Sequence, residues 1–230
     1  MGAGVVYLIS MQVKSKQRVA DFGEVFTAPR EVNAMLDLVR HETERIESRF
    51  LEPACGTGNF LVEVLRRKLT VVQAKYCKVQ LEYERYSILA LTSIYGVEIQ
   101  MDNVLTCRER LLEIFLEPYQ TLYKKTQKNE YEATAAFILA TNIIWGDALT
   151  LRTPDTGAKP IVFAEWSPLN GSLLKRRDFT LEKLLNNQPM DGPNLFSDLG
   201  DEAFIPMPHT EYPLTHFLKV GEQNDKLQEF

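Results

Sequence analysis

Residues 49–65 read RFLEPACGTGNFLVEVL and place a carboxylate, a proline and two close glycines between two apolar runs. The first run predicts a short strand, and the run that begins at Asn59 has the spacing of a helix. Glycine in such a turn lets the backbone approach a ligand, because glycine has no Cβ. Ligands of open α/β sheets bind at the carboxyl ends of the strands, where residues 52–59 would lie. The stretch therefore predicts a ligand site in an α/β protein, although a tight structural loop is the alternative interpretation.

The rest of the chain repeats this alternation of short apolar segments and longer helical patterns. Further strands are predicted at IYGVEI (94–99), NIIWGD (142–147) and PIVFAEW (160–166). Helices are predicted at 27–46 with Thr27 as N-cap and at 102–123 with Asp102 or Asn103 as cap, and the helical pattern from Asn59 breaks between Thr70 and Leu81. Strands that alternate with helices predict an α/β fold with a mostly parallel sheet.

Three segments differ in composition. Residues 1–22 are an N-terminal extension whose apolar start lacks a basic region and is too short to span a bilayer; Met11 is an alternative start. Residues 23–178 carry the α/β pattern. Residues 179–230 are dense in Pro, Asn, Asp and Gly, which predicts a loop-rich C-terminal arm.

Composition excludes several classes of function. A chain of 230 residues with 45% hydrophobic content buries one substantial core, and its net charge of −5 gives no overall attraction to nucleic acid or membrane. Three scattered cysteines and three unrelated histidines predict a reducing cytoplasm, no disulfide framework and no metal site. The basic clusters Arg66-Arg67-Lys68 and Lys175-Arg176-Arg177 favour solvated surface over a nucleic-acid contact.

Two further acids end predicted strands beside the glycine turn. Glu98 follows the second strand, in the position from which an acid accepts ribose hydroxyls, and Asp147 follows the third. A dinucleotide site requires G-x-G-x-x-G, but the third position here is Leu61. Glu52 would also repel a phosphate and attract an amine. S-adenosylmethionine, which has an amino-acid end, a ribose and an adenine but no phosphate, therefore suits these residues better than a dinucleotide.

Four motifs in order resemble the N6-adenine DNA methyltransferases, the amino-methyltransferase branch of the class I fold. FLEPACGTGNFL is similar to their motif I, and GEVFTAPREVNAMLDLV resembles the motif that precedes it. YGVEIQMDNVLTCRERL and NIIWGDAL are similar to the second and third motifs. The resemblance runs from Gly23 to Leu149 and implies a Rossmann-like class I fold that binds S-adenosylmethionine, in a chain from a restriction-modification or phage-defence system.

The resemblance also implies roles for residues around the cofactor. Thr27 and Pro29 would line its methionine end. Glu98 would hold the ribose hydroxyls, Ile99 would pack on the adenine ring and Asp147 would accept from the adenine amine. Glu52, Gly56 and Asn59 would surround the amino and carboxylate groups of the cofactor. The other residues predicted to bind the cofactor are Pro53, Ala54, Gly58 and Ala148. Each of three residues also has a purely structural alternative: Thr27 as an N-cap, Ile99 as a core residue and Asp147 as a turn residue.

The catalytic signature of this family is absent from the sequence. The family has an [Asn/Asp/Ser]-Pro-Pro-[Tyr/Phe] turn after the fourth strand, which holds a flipped base. At the corresponding place this chain reads Glu165-Trp166-Ser167-Pro168. Either Glu165, Trp166 and Pro168 form a diverged turn, or the turn lies on a missing segment or a separate chain. We favour the second interpretation, because later strands and a target-recognition domain are also missing.

Three hypotheses follow from these features. The first is a DNA methyltransferase specific for adenine N6, or its cofactor-binding part, that acts on DNA with a partner protein or missing domain. The second is a catalytically inactive subunit that senses S-adenosylmethionine or scaffolds a partner. The third is a methyltransferase that acts on RNA or protein amines, because a fold does not fix the substrate.

Overall fold

The computed structural model describes residues 14–22, 24–25, 27–169, 171–185 and 207–226. Its helices are α1 (Lys16–Phe22), α2 (Pro29–Asp37), α3 (Arg40–Thr43), α4 (Asn59–Tyr76), α5 (Gln80–Thr92), α6 (Met101–Leu122), α7 (Asn129–Asn142), α8 (Leu181–Leu185) and a 3₁₀ segment (Phe217–Lys226). Its strands are β1 (Phe50–Glu52), β2 (Ile94–Glu98), β3 (Ile143–Trp145), β4 (Val162–Leu169), β5 (Leu173–Thr180), β6 (Thr210–Glu211) and β7 (Thr215–His216).

A parallel sheet of three strands, in the order β1-β2-β3, forms the centre of the molecule. Phe50 pairs with Ile94, and Gly96 pairs with Ile143. Every residue of β2 is buried, which is typical of a strand covered on both faces. Helices α4–α7 fill the two crossovers and pack against the strands. The α/β class and a parallel sheet are therefore confirmed, while the Rossmann-like class stays a prediction.

The fourth predicted strand forms but does not extend the parallel sheet. Strand β4 pairs with β5 as an antiparallel hairpin, and β6 and β7 add to β5. The Tyr95 hydroxyl on β2 donates to the Ala164 carbonyl on β4 at 2.9 Å, so the hairpin packs against the central sheet. Strand β5 continues through the boundary that the sequence predicted between 178 and 179. Much of the predicted C-terminal arm, 186–206, lies outside the described residues.

The 3₁₀ segment joins the end of the chain to the helical layer. The Thr134 hydroxyl on α7 donates to the Phe217 carbonyl at 3.0 Å. A Cβ on Gly221 would lie 2.7 Å from the Ala133 carbonyl carbon, so only glycine allows this close contact between the segment and α7. The 3₁₀ segment, which directly follows β7, thereby connects the second sheet to α7.

The helix predicted over 27–46 is wrong in its extent and its cap. Val39 lies outside the helical region at φ −118° and ψ 31°, which separates α2 from α3 and lets Ile46 reach the core. The N-cap of α2 is Ala28, whose backbone N–H donates to Glu31 at 3.0 Å, so Thr27 is not the cap. The predicted break after Asn59 is confirmed, since α4 ends at Tyr76 and α5 begins at Gln80.

The cap predicted for α6 is also wrong. Gln100 is the N-cap, and no side chain caps the helix. Asp102 instead binds Lys14 and Arg18 from the N-terminal segment, at 2.9 and 2.7 Å. The Asp102 carboxylate in the first turn is also stabilised by the positive end of the helix dipole. None of the described helices has the length and hydrophobicity needed to cross a bilayer.

Each of the two basic clusters, residues 66–68 and 175–177, contains a buried residue. The prediction that these clusters are solvated surface is therefore wrong for Lys68 and Arg176. The Lys68 ammonium is buried and donates to the Ile46 carbonyl at 3.1 Å. Arg176 is 6% exposed, and its guanidinium binds Asp178 through two hydrogen bonds of 2.8 Å. It also lies 4.3 Å from the centre of the Tyr212 ring. The charged groups of Lys68 and Arg176 are therefore used in hydrogen bonds within the protein.

Candidate functional site

A cleft of about 690 Å³ runs along the carboxyl ends of the three parallel strands. This volume is in the usual range for small-molecule sites. Its walls come from the N-terminal segment, the turn after β1, the end of β2 and the turn after β3. The lining residues are Glu24, Val25, Thr27, Glu52, Pro53, Ala54, Cys55, Gly56, Asn59, Phe60, Glu98, Ile99, Gln100, Gly146, Asp147, Ala148 and Leu149.

The glycine turn between β1 and α4 forms the floor of this cleft. Gly56 and Gly58 have φ values of 52° and 86°, a region that residues with a Cβ rarely adopt. A Cβ on Gly58 would also lie 2.6 Å from the Cys107 sulfur on α6. Gly58 is therefore required both by its backbone conformation and by the close packing of α6 behind the turn.

Glu98 ties the end of β2 to this turn. One carboxylate oxygen accepts the backbone N–H of Gly56 at 2.8 Å, and the other accepts that of Gln100 at 2.8 Å. The residue is 7% exposed. Because each carboxylate oxygen has two lone pairs, both oxygens keep acceptor capacity for a ligand hydroxyl in the cleft.

The other two acids differ in their electrostatic setting. Burial raises the pKa of Glu52, and the backbone N–H of Ala54 opposes that shift. The backbone N–H of Leu149 and the Thr150 hydroxyl donate to Asp147 at 2.9 Å each, and they lower its pKa. Asp147 is therefore both a turn residue and a lining residue of the cleft. Both acids offer carboxylate oxygens to a cationic or amine-bearing ligand.

Asn59, the first residue of α4, connects the N-terminal segment and the glycine turn to α6 behind them. Its Nδ2 donates to the Thr27 carbonyl at 2.9 Å, which fastens the N-terminal segment to the glycine turn. Its Oδ1 accepts from Arg110 on α6, also at 2.9 Å. Arg110 further donates to the Thr57 carbonyl at 2.5 Å. Three segments distant in sequence are thus held together by one amide and one guanidinium.

Ile99, the predicted adenine contact, lies on the rim of the cleft and is 39% exposed. The Trp145 indole N–H, at the end of β3, donates to the Ile99 carbonyl at 2.9 Å. This bond joins the turn after β2 to the end of β3, so it fixes the backbone from which the Ile99 side chain projects.

Residues 25–156 match the family model described as MmeI, DNA-methyltransferase domain. The match covers more than half of the chain and contains the whole central sheet. The chain belongs to this DNA-methyltransferase family. No curated protein and no solved structure matched it.

Membership in this family identifies the region as a DNA-methyltransferase domain of the restriction-modification type. Every residue predicted to bind a cofactor lies inside the matched region of the methyltransferase domain. All of them line the cleft except Pro29, which begins α2 on the surface, and Gly58, which is buried behind the turn. The assignment of individual roles within the cleft stays a prediction.

The candidate catalytic residues lie on β4, beyond the matched region and outside the lining of the cleft. Glu165 forms ion pairs with Arg49 at 3.0 Å and with Arg177 at 2.5 Å. Trp166 is 5% exposed, and its indole N–H donates to Asn142 at 3.0 Å. Pro168 is exposed near the end of the strand. The structure therefore does not bring these residues together with the predicted cofactor-binding residues of the methyltransferase domain.

Sequence reasoning missed Glu24, which lines the cleft just before the matched region. Glu24 forms an ion pair with Arg18 at 2.6 Å and accepts from the Asn103 amide at 2.6 Å. The Asp102 carboxylate holds the same arginine, so α1 is anchored on the start of α6. These are contacts between distant segments with no local sequence pattern, and only the position of Glu24 inside the pre-motif stretch pointed to it.

The described residues contain no group of three or more His, Cys, Asp or Glu side chains that could hold a metal ion. The carboxylates of the cleft are instead engaged separately, Glu98 by backbone N–H groups of the β1 and β2 turns and Asp147 by its own turn. The cleft therefore presents separate hydrogen-bond acceptors along the edge of the sheet, and this arrangement suits an extended polar ligand.

Proposed function

We propose that the cleft binds S-adenosylmethionine and that the chain is the cofactor-binding part of a DNA methyltransferase specific for adenine N6. The observation that carries the proposal is the contact of Glu98 with Gly56, which sets a ribose acceptor directly beside an open glycine turn. When bound, the cofactor would supply an electrophilic methyl group.

The donor set of the cleft fits such a cofactor. Glu52 and the Asn59 amide lie at the turn where an ammonium and a carboxylate would need partners, and Thr27 faces them from the N-terminal segment. Glu98 would accept the ribose hydroxyls, and Ile99 would cover an adenine ring. A phosphate would meet Glu52 at the start of the turn, so a dinucleotide fits less well.

The chain's own residues bind and orient in this proposal, and the catalytic turn comes from elsewhere. Strand β1 pairs only with β2 among the described strands, and Leu51 at its centre is 48% exposed. An added strand that ends in an Asn-Pro-Pro-Tyr-type turn would complete the sheet at this edge. That strand would belong to a partner protein or to a missing domain, and DNA would be held jointly.

Titration calorimetry with S-adenosylmethionine tests the cofactor assignment. We expect wild-type protein to bind and Glu98→Ala to weaken binding by about tenfold or more, because hydrogen bonds to a charged group are lost. Glu109→Ala removes an exposed glutamate of α6 and should leave the affinity unchanged. Absence of binding by the wild-type protein would remove the proposal.

The inactive-subunit alternative is favoured by one observation, the absence of the Pro-Pro tetrapeptide from all 230 residues. Transfer of tritiated methyl groups to adenine-containing DNA separates the alternatives. Transfer by the protein alone would exclude the inactive subunit, and transfer only with an added chain that carries the turn would support the divided enzyme. Cofactor binding without transfer under either condition would favour the sensor or scaffold.

A further inference from the structure

We infer that Arg110 is a positioning residue of the cofactor cleft, and that it sets the affinity for the amino-acid end of the ligand without touching it. The inference rests on the proposed function, since it concerns the same cleft. Arg110 lies on α6, is partly buried and is not among the side chains that line the cleft.

The geometry around the guanidinium is unusually convergent. A single nitrogen, Nη1, donates to the Thr57 carbonyl at 2.5 Å, to the Thr57 hydroxyl at 3.1 Å and to Asn59 Oδ1 at 2.9 Å. All three acceptors belong to the junction between the glycine turn and α4. Hydrogen bonds from a charged guanidinium are stronger than those between neutral groups. Arg110, which belongs to a different helix, therefore stabilises this junction.

The glycine turn has a specific need for such an external contact. Its two glycines adopt positive φ values, and glycine loses more conformational freedom on ordering than any other residue. The N-cap of α4 is Gly58, which has no side chain to cap the helix. Arg110 restricts the turn by holding Thr57, the residue between the two glycines.

The guanidinium also decides the orientation of the Asn59 amide. An arginine only donates, so the side-chain atom of Asn59 that faces it must be the oxygen. The amide nitrogen then points to the Thr27 carbonyl and donates to it at 2.9 Å. Without Arg110 the amide keeps only the Thr27 carbonyl to orient it, so the junction is held less firmly.

Helix electrostatics do not account for this arginine. A cation near the N-terminus of a helix is disfavoured by the helix dipole, and the Arg110 guanidinium, which projects from α6, lies at the N-terminus of α4. Its hydrogen bonds to Thr57 and Asn59 must therefore outweigh an unfavourable field. Thr27, Asn59 and Gly56 are among the residues predicted to surround the methionine end. The loss of Arg110 should therefore weaken binding of that end more than binding of the adenine and ribose.

Two ligands distinguish positioning from general damage. S-adenosylmethionine carries the amino-acid tail, whereas 5′-methylthioadenosine keeps the adenine and ribose and lacks that tail. For Arg110→Met we expect the calorimetric Kd of S-adenosylmethionine to rise about tenfold and that of 5′-methylthioadenosine to change by less than about twofold. Arg110→Lys keeps a cation but loses the planar guanidinium with its several N–H donors, so its loss of affinity for S-adenosylmethionine should be intermediate.

Arg108→Met is the matched control. Arg108 lies on the same helix, is partly buried and donates to the Ile143 carbonyl at 3.0 Å and the Ala140 carbonyl at 2.9 Å, away from the glycine turn. It should lower the thermal midpoint without changing the ratio of the two Kd values. Hydrogen exchange of the ligand-free protein gives a second readout, in which the amides of residues 56–60 should exchange faster in Arg110→Met and not in Arg108→Met.

The outcomes separate the inference from the proposed function. Wild-type protein that binds neither ligand overturns both. Wild-type protein that binds S-adenosylmethionine, with equal losses for the two ligands in Arg110→Met or with no loss, overturns the role of Arg110 alone. If Arg110→Met does not fold, Arg110→Lys carries the same test, because a selective loss for S-adenosylmethionine and faster exchange at the turn are still expected.

Discussion

The Glu98 carboxylate at the end of β2 accepts the backbone N–H of Gly56 at 2.8 Å, so the acid and the glycine turn form one unit. The bond joins residues more than forty positions apart and depends on the parallel pairing of β1 with β2. A change on either side should therefore alter the same cleft.

Gly58→Ala should destabilise the protein by about 2–4 kcal/mol, because a Cβ is strained at a positive φ and collides with a neighbour. The neighbour is the Cys107 sulfur, 2.6 Å from the ideal Cβ position. Urea denaturation of the ligand-free protein measures the loss. Cofactor affinity should fall as well, since Gly58 ends the turn that forms the cleft floor.

Gly171→Ala is the matched control for this substitution. Gly171 has a φ of 75°, similar to that of Gly58, but a Cβ there meets nothing within 4 Å. It should cost only the conformational strain, about 1 kcal/mol. Equal losses for the two variants would show that the contact with Cys107 does not limit the site. The double variant Gly58→Ala/Cys107→Ala should recover only the part of the lost stability that comes from the collision with the Cys107 sulfur.

Lys68 should make stability depend on pH in the alkaline range. Burial lowers the pKa of Lys68 to about 7, while an unfolded lysine titrates near 10.5. Between these values the unfolded chain binds more protons than the folded chain, so stability rises as pH increases through this window. The slope should approach about 1.4 kcal/mol per pH unit, and below the folded pKa the lysine contributes no further change.

Lys68→Met removes this titration and keeps most of the side-chain volume. Urea denaturation at several pH values should show a flatter profile for the variant than for the wild type, whatever its absolute stability. The variant removes the lysine donor from the Ser48 carbonyl and the Ser93 hydroxyl, so a general loss of stability is expected too. Identical slopes for the two proteins would contradict the depressed pKa.

Glu52 should make cofactor affinity depend on pH in the opposite range. Burial raises the pKa of this carboxyl, so it becomes neutral at a higher pH than an exposed glutamate does. Only the charged form attracts an ammonium, and affinity should therefore weaken as pH falls into the acidic range, starting at a higher pH than an exposed glutamate would give. Calorimetry across that range should show the change in wild type but not in Glu52→Gln. A flat wild-type profile would place the ammonium elsewhere.

Trp166→Phe separates a structural from a catalytic role of β4. The substitution keeps the ring against Phe137 and removes the indole N–H that Asn142 accepts at 3.0 Å. A buried acceptor left without its donor should cost about 1–3 kcal/mol. In the divided-enzyme account, methyl transfer with the added chain persists at wild-type level. Transfer abolished with cofactor binding intact would instead favour the diverged turn.

The sequence predicted the parts of the site that depend on local pattern. Gly56 and Gly58 follow the first strand, Glu98 ends the second and Asp147 follows the third, so parallel strands bring them to one edge. Arg110 and Glu24 could not be found in this way, because their partners are distant in sequence and their own surroundings are ordinary helix and loop. The antiparallel pairing of β4 with β5 was missed for the same reason, since an apolar strand does not encode the direction of its neighbour.

The most direct measurement is a crystal structure of this chain with S-adenosylhomocysteine, the demethylated product of the proposed cofactor. The account predicts the ligand along the ends of β1, β2 and β3, with both ribose hydroxyls within about 3 Å of the Glu98 carboxylate and the ammonium beside Glu52. A ligand bound elsewhere, or a cleft in which Glu98 contacts no part of it, would contradict the account.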